Sequence, residues 1–507
     1  MNGVSIEPEI RTVAGVVRGR IEGVVTVFRG IPYAQPPVGP RRFTAPVPVQ
    51  PWDGVRDAFE FGPPAPQVTS EPCTHSSMSG GTSAGPDDWL TLNVWSPDLG
   101  ATRLPVMVWI HGGAYMRDSS ANPHYDGATL AGRGAVVISM NYRLGMEGFA
   151  HIAGAPANRG LLDQAAALRW VQDNVAAFGG DPGNVTVFGQ SAGAGSVAAL
   201  LAMPATAGLF RRAIAQSVPG TYFSTNLATD VSAAIAAELG AEATIGELAR
   251  IPPHELVSAT GAVLGKMPRW VESWGPMALT PTPFSPVVDG DVLPQAPWPT
   301  LARAAASGID LMVGHTRDEY RLLAARLGGE VTDERLTATL RRLAPAPDGA
   351  AAYRAAFPDA TPAQLSELVN ADWLMRMPSL HIAEAHVAGG GHAWTYELRW
   401  GYGPAGASHG LDVLLLFGTI DYDDVLRQSA SGSSAAEEAF RLSQQMRTDW
   451  LSFATTGDPG WAPYDANTRS TQVYDAAPTT LPYPEETSRR IWHQHQFDTL
   501  DLLTGRL

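Results

Sequence analysis

Ser191 sits in Gly189-Gln-Ser-Ala-Gly193, between an apolar run, Val185 to Phe188, and a small-residue helical segment, Ala194 to Ala202. Strand, tight turn and helix form the setting in which G-x-S-x-G becomes a nucleophile elbow. Gly189 and Gly193 leave room for a strained backbone at Ser191. That turn lifts the hydroxyl above a sheet end and aims the N–H of Ala192 at the same point. The plainer reading is a serine that caps the following helix. A serine hydroxyl is a poor nucleophile until a positioned base takes its proton. It also needs N–H donors where negative charge develops, and a carboxylate that orients the base.

Candidate donors lie in His111-Gly-Gly-Ala-Tyr115, which follows a buried apolar run ending at Ile110. Gly112 and Gly113 let backbone approach a reacting group closely. For the acid, Gly314-His-Thr-Arg-Asp-Glu-Tyr320 follows another strand. Asp318 and Glu319 are adjacent and point apart, so their residue types alone leave the choice open. The histidines beyond are His381, His386, His392, His409, His493 and His495. His409 is favoured because it joins a Gly/Pro-rich loop, 401–408, to an apolar stretch, Leu411 to Phe417.

These residues need a frame. Strands are expected at 12–19 and 24–28 around a Glu22-Gly23 turn, then at 90–95, 104–111, 135–140, 185–188, 213–217, 309–314 and 393–400. The near-continuous apolar runs suit strands covered on both faces. Phe28 to Pro37 is expected to be an irregular wrap because of its prolines, and 61–88 a long loop. Leu161, Leu168, Val171 and Val175 mark one stripe of a helix from 161 to 178, stopped by Gly179-Gly-Asp-Pro-Gly183. Alternating strands and helices imply an α/β class with a mostly parallel sheet covered on both faces. Residues 225–280 and 330–390 read as helical insertions above the sheet, able to form a lid, within one domain spanning 1–507.

The 507 residues are 45% hydrophobic and 17% charged, enough for a large core. A net charge of −15 disfavours nucleic acid and anionic membrane surfaces as partners. The lone cysteine, Cys73, permits no intrachain disulfide, and the N-terminal residues show no leader pattern, so a cytoplasmic location is expected. The sequence does not set the oligomeric state, for which a monomer is favoured. No zinc-type spacing appears, so neither metal nor cofactor is expected.

A series of motifs runs from about residue 10 to 465. It includes Phe28-Arg-Gly-Ile-Pro-Tyr-Ala, Leu92-Asn-Val-Trp95, His111-Gly-Gly-Ala, Asn141-Tyr-Arg-Leu-Gly145 and Gly160-Leu-Leu-Asp-Gln164. Phe178-Gly-Gly-Asp-Pro182, the elbow, Pro286-Val-Val-Asp-Gly290, Asp318-Glu319, His409-Gly410 and Trp450-Leu-Ser-Phe-Ala454 follow. In that order they resemble the type-B carboxylesterase family, which includes cholinesterases and bacterial p-nitrobenzyl esterases. The resemblance implies an α/β-hydrolase fold and a Ser191–His409–Glu319 triad. It also implies oxyanion donors at Gly113, Ala114 and Ala192, with Gly112 shaping the turn, and ion pairs Arg42–Asp87 and Arg143–Asp163. The implied activity is hydrolysis of a small-molecule carboxylic ester by water through an acyl-enzyme. Amide or carbamate hydrolysis on the same site is the alternative, and a non-catalytic adhesion protein a remote one.

The chain departs from the family pattern in places. Ala65 and Trp89 stand where cysteines often close the long loop. Gln190 replaces the usual Glu before the nucleophile, which should make the His409 imidazolium less stable. Asp412 replaces a more usual Glu, and Val218 a Gly. Trp270, Trp274, Phe284 and Tyr115 could line a pocket for aryl or bulky esters, or pack the lid's own core.

Overall fold

A computed structural model of the protein describes residues 7–67, 87–345, 347–429 and 433–504. Cys73 and most of the expected 61–88 loop lie outside the described residues. Eleven strands among the described residues form one twisted sheet. From Val136–Met140 through Leu104–Ile110, Gly180–Gln190, Arg212–Gln216, Asp310–Thr316 and Ala393–Leu398 to Ser470–Tyr474, every neighbour is parallel. Antiparallel strands flank this core: Thr91–Ser96, Val25–Pro32 and Arg20–Glu22 on one side, Thr479–Pro482 on the other. A smaller sheet joins Glu9–Arg11, Val16–Arg18 and Val55–Asp57.

Each central strand is buried on both faces, and its alternating side chains feed two cores. Val106, Val108 and Ile110 pack with Leu161, Leu168 and Val197 on one face. Met107 and Trp109 pack with Phe188, Phe417, Met446 and Trp450 on the other. Helices Arg159–Asn174 and Ala192–Ala202 cover the first face, and the long helix Ser433–Thr456 the second. The stripe read at Leu161, Leu168, Val171 and Val175 is fully buried. The last turn of that segment, Val175–Phe178, is a 3-10 helix, and Gly179 (φ 86°) ends it.

Two local expectations are corrected. Phe28 to Pro37 is not irregular throughout, because strand Val25–Pro32 runs into it. A bulge between Phe28 and Ile31 absorbs the mismatch, with Gly30 at φ 68°. Pro32 falls at the strand's end, where its missing N–H costs little. The second correction concerns residues 12–19, whose strand, Val16–Arg18, joins the small sheet. The hairpin partner of Val25–Pro32 is Arg20–Glu22 instead.

Topology brings the chemistry to one end. Gly112 to Ala114, Ser191, Glu319 and His409 each follow the carboxyl end of a parallel strand. Register is tight there: Ile110 lies opposite Gly189, and Gln216 opposite Gln190. Open α/β sheets bind ligands at this end.

Candidate active site

Ser191 adopts φ 57° and ψ −124°, a region that is costly for a side chain. Its surroundings enforce it. A Cβ on Gly193 would lie 2.1 Å from the carbonyl oxygen of Ile110, and one on Gly189 would lie 2.7 Å from the Gly193 backbone. The Ser191 N–H donates to the Gln216 carbonyl at 2.9 Å, which ties the turn to the neighbouring strand. The hydroxyl does not cap the helix in the usual manner: no side-chain cap bond forms.

The loop after Ile110 is a second strained turn, with φ of 96° at Gly113, 57° at Ala114 and 58° at Tyr115. Gly113 is required because a Cβ there would meet the Arg117 carbonyl oxygen at 2.0 Å. A Cβ on Gly112 would lie 2.8 Å from the Gln190 carbonyl oxygen and 3.2 Å from the Ser191 Cβ, so this loop packs directly on the elbow. Tyr142 donates to the His111 carbonyl at 2.7 Å, Thr282 to that of Ala114 at 2.7 Å, and the Gly145 N–H to that of Tyr115 at 2.7 Å. The N–H groups of Gly113, Ala114 and Ala192 donate to no acceptor among the described residues.

Asp318 and Glu319 diverge. Asp318 accepts from the Ala407 N–H at 2.9 Å and pairs with Arg317 and Arg321 at 3.0 and 2.9 Å, anchoring the loop before His409. Glu319 turns inward. It accepts from the Thr316 N–H at 2.8 Å and the Ser217 hydroxyl at 2.5 Å, and its other oxygen contacts His409 Nδ1. With Nδ1–H directed at that carboxylate, Nε2 is an acceptor, and the Gln190 amide donates to it at 3.0 Å. Ser191, Gln190, Glu319, His409, Gly113 and Ala114 border one cleft of about 340 Å³. The other histidines lie elsewhere: His386 bonds the Ile309 carbonyl at 2.8 Å, and His392 faces Asp310 at 3.6 Å.

Burial alone would lower the His409 pKa. The charge and hydrogen bond of Glu319, with the charge of Asp412, outweigh it and raise the value. Burial would raise Glu319, but the same pairing and the Ser217 and Thr316 donors hold it below the usual carboxylate range. Asp412 is fully buried and accepts from Gln216 at 2.9 Å and Tyr396 at 2.8 Å; burial keeps its pKa raised. Ser217 escaped the motif reading, since a serine at a strand end is ordinary. Its left-handed backbone (φ 62°) and its place beside the elbow are long-range facts. Val218, in the expected glycine's place, is buried and gives its N–H to Ser379 at 2.8 Å.

Other expectations need correction. Trp270, Trp274 and Phe284 do not appear among the residues bordering the cleft. The two tryptophans pack on each other at 4.6 Å, and Trp274 donates to Asp230 at 2.7 Å. Phe284 is buried near Gly145. Tyr115 is buried against Phe149, with ring centroids 4.5 Å apart. Arg42 pairs with Glu147 at 2.6 Å rather than with exposed Asp87. Arg143 and Asp163 do pair, with both side chains fully buried and two contacts at 2.8 and 2.7 Å. Among the described residues no group of three or more His, Cys, Asp or Glu could hold a metal ion, and no helix is long and apolar enough to cross a membrane.

The model of the carboxylesterase family matches residues 6–489. A para-nitrobenzyl esterase of Bacillus subtilis is 37% identical over 502 residues, spanning 95% of this chain and 97% of that protein. A fumonisin B1 esterase of Sphingopyxis macrogoltabida is 35% identical over 464 residues, spanning 88% of this chain and 82% of that protein. A solved PNB esterase superposes with a TM-score of 0.83 at 36% identity, covering 96% of this chain and 99% of that one. This chain therefore belongs to the carboxylesterase family, with the α/β-hydrolase fold, and is a carboxylic ester hydrolase.

Proposed function

We propose that Ser191, His409 and Glu319 are the catalytic triad and that hydrolysis runs through an acyl-enzyme on Ser191. His409 Nε2 takes the Ser191 proton as Oγ attacks the ester carbonyl carbon. For this the Gln190 amide yields Nε2 to the serine hydroxyl. The carbonyl oxygen, now an oxyanion, accepts from the N–H groups of Gly113, Ala114 and Ala192. One such donor is worth about 3 kcal/mol in the transition state. His409 then gives its proton to the departing alcohol oxygen. Water attacks the acyl-enzyme by the same route in reverse, and Glu319 holds the ring in the Nδ1–H tautomer throughout.

The observation that carries this reading is the Glu319–His409 contact in a cleft shared with Ser191 and a set of N–H groups without acceptors. Aryl selectivity loses its support, because the tryptophans do not border the cleft. The test is p-nitrophenyl acetate hydrolysis by wild type and Ser191→Ala. Wild type is expected to show a stoichiometric burst of p-nitrophenol, and the variant neither burst nor turnover. Equal rates in both would overturn the proposal.

A further inference from the structure

Two cations reach the cleft at Ser191. Arg117 and Arg326 both border it, and both are exposed. Neither side chain forms an ion pair or a hydrogen bond among the described residues. Two arginines close by in the chain behave otherwise, since Arg317 and Arg321 are both committed to Asp318.

The acids that border the cleft turn away from it. Asp118 accepts from the Tyr125 hydroxyl at 2.6 Å, the Asn122 amide at 3.0 Å and the Ser119 N–H at 2.8 Å. The Glu319 side chain is fully buried and is held by His409, Ser217 and the Thr316 N–H. The charged groups left to meet a substrate are therefore the two guanidiniums.

Backbone fixes where they stand. The Arg117 N–H donates to the Gly113 carbonyl at 3.1 Å, and the next N–H, of Asp118, donates to Gln67 at 2.8 Å. Arg117 is thus tied to the turn that carries the Gly113 and Ala114 N–H groups. Arg326 lies on helix Arg321–Leu327, which begins two residues after Glu319. Leu322, Leu323 and Arg326 all border the cleft, and residues three and four apart share one helix face. Four residues rise about 6 Å, so Arg326 stands about one turn further along than Leu322. A substrate reaching from Ser191 to Arg326 passes apolar side chains first.

A carboxylate would be rejected by an apolar cleft, because burying it without a partner is costly. A guanidinium reverses that, since its planar fork meets a carboxylate with two parallel N–H bonds. We propose that this esterase takes esters that carry a free carboxylate a short apolar chain away from the ester bond, and that Arg326 and Arg117 hold that carboxylate. Half-esters of dicarboxylic acids and esters of hydroxy acids share this chemistry. Hydrolysis breaks the same acyl–oxygen bond in each, giving a dicarboxylate and an alcohol, or a carboxylate and a hydroxy acid. The inference rests on the proposed triad and adds the substrate's charge to it.

Two matched pairs of substrates provide the test. The anion of ethyl hydrogen adipate is compared with ethyl adipamate, and ω-acetoxyhexanoate with ω-acetoxyhexanamide. Within each pair only carboxylate and carboxamide differ, and the two pairs place the charge on opposite halves of the ester. One exposed ion pair is worth up to about fivefold. In at least one pair wild type is expected to show kcat/KM about fivefold or more higher for the carboxylate, and the pair that shows it identifies the half that carries the charge. The ratio should fall toward one between about 50 and about 500 mM NaCl. Arg326→Gln and Arg117→Gln should each lower it, and the double variant should bring it to one or below. Such a ratio is independent of how much variant is correctly folded. A smaller ratio in both pairs, no turnover of either carboxylate, or a preference that the double variant keeps, with the Ser191-dependent burst intact, would overturn the proposal and leave the triad standing. Absence of that burst from wild type would overturn both.

Discussion

Gln190 donates to the one nitrogen of His409 on which the proposed chemistry turns, at 3.0 Å. Replacing it with Glu puts a carboxylate where the amide was. Two unit charges about 3–4 Å apart at an effective dielectric of about 20 attract by about 4–5 kcal/mol. That corresponds to about 3 pKa units. The ring is 27% exposed, so solvent screens part of this, and a rise of about one to two units is expected. The sign follows from the mechanism. The reactive form has neutral His409, so a raised pKa moves the acid limb of kcat/KM to higher pH. At pH 6 Gln190→Glu should lose at least about tenfold relative to wild type, while near pH 9 the two should agree within about threefold. The assay is a pH profile of kcat/KM on p-nitrophenyl acetate, which reports free-enzyme pKa values. An acid limb that stays in place or moves down would refute the claim that residue 190 acts on the imidazole. A uniform loss at all pH values would show that it matters only for packing.

Three further outcomes are expected. Glu319→Gln should lower kcat by roughly a thousandfold or more through loss of the orienting charge, whereas Asp318→Asn, which touches only the Ala407 loop and two arginines, should cost less than about tenfold; steady-state kinetics on both variants distinguishes the two carboxylates. Asp163→Asn leaves the Arg143 cation fully buried without its partner, and urea unfolding should show a loss of about 3–5 kcal/mol. Burial and the charge of Glu485 push the Glu397 carboxyl up to about 8, so folding favours its protonated form and stability from this group falls as pH rises from the unfolded value toward 8. Glu397→Gln keeps the neutral form at all pH values, so the drop in thermal midpoint between pH 5 and pH 8 should shrink; an unchanged drop would exclude Glu397 as its source.

The parts of the site set by local covalent geometry were legible in the sequence. A strand, two glycines around a serine and a small-residue helix leave the backbone little choice, so Ser191 could be singled out from its neighbours. The parallel sheet was legible for a similar reason, since runs such as Leu104–Ile110 have nothing polar to turn toward water. Partners set by contact at a distance were not. Asp318 and Glu319 are chemically alike and adjacent, and what separates them is a hydroxyl 102 residues away on Ser217 together with the Thr316 N–H. Arg42 is a related case: the resemblance implied Asp87 as its partner, and the acid that meets it is Glu147, 105 residues away, which no local pattern marks. For the tryptophans a pocket wall and the lid's own core were both open from the sequence. Size and apolarity say that Trp270 and Trp274 will be covered, not by what, and here they cover each other.

That distinction also explains why substrate preference was beyond the sequence. Leu322, Leu323, Leu374 and Met375 border the cleft, and none of them carries a motif. A cavity is the volume left over when many side chains pack, so its shape can change while the residues that the motifs mark stay unchanged. Selectivity in this protein should therefore shift through substitutions at such bordering residues more readily than through any change to the residues that the motifs mark.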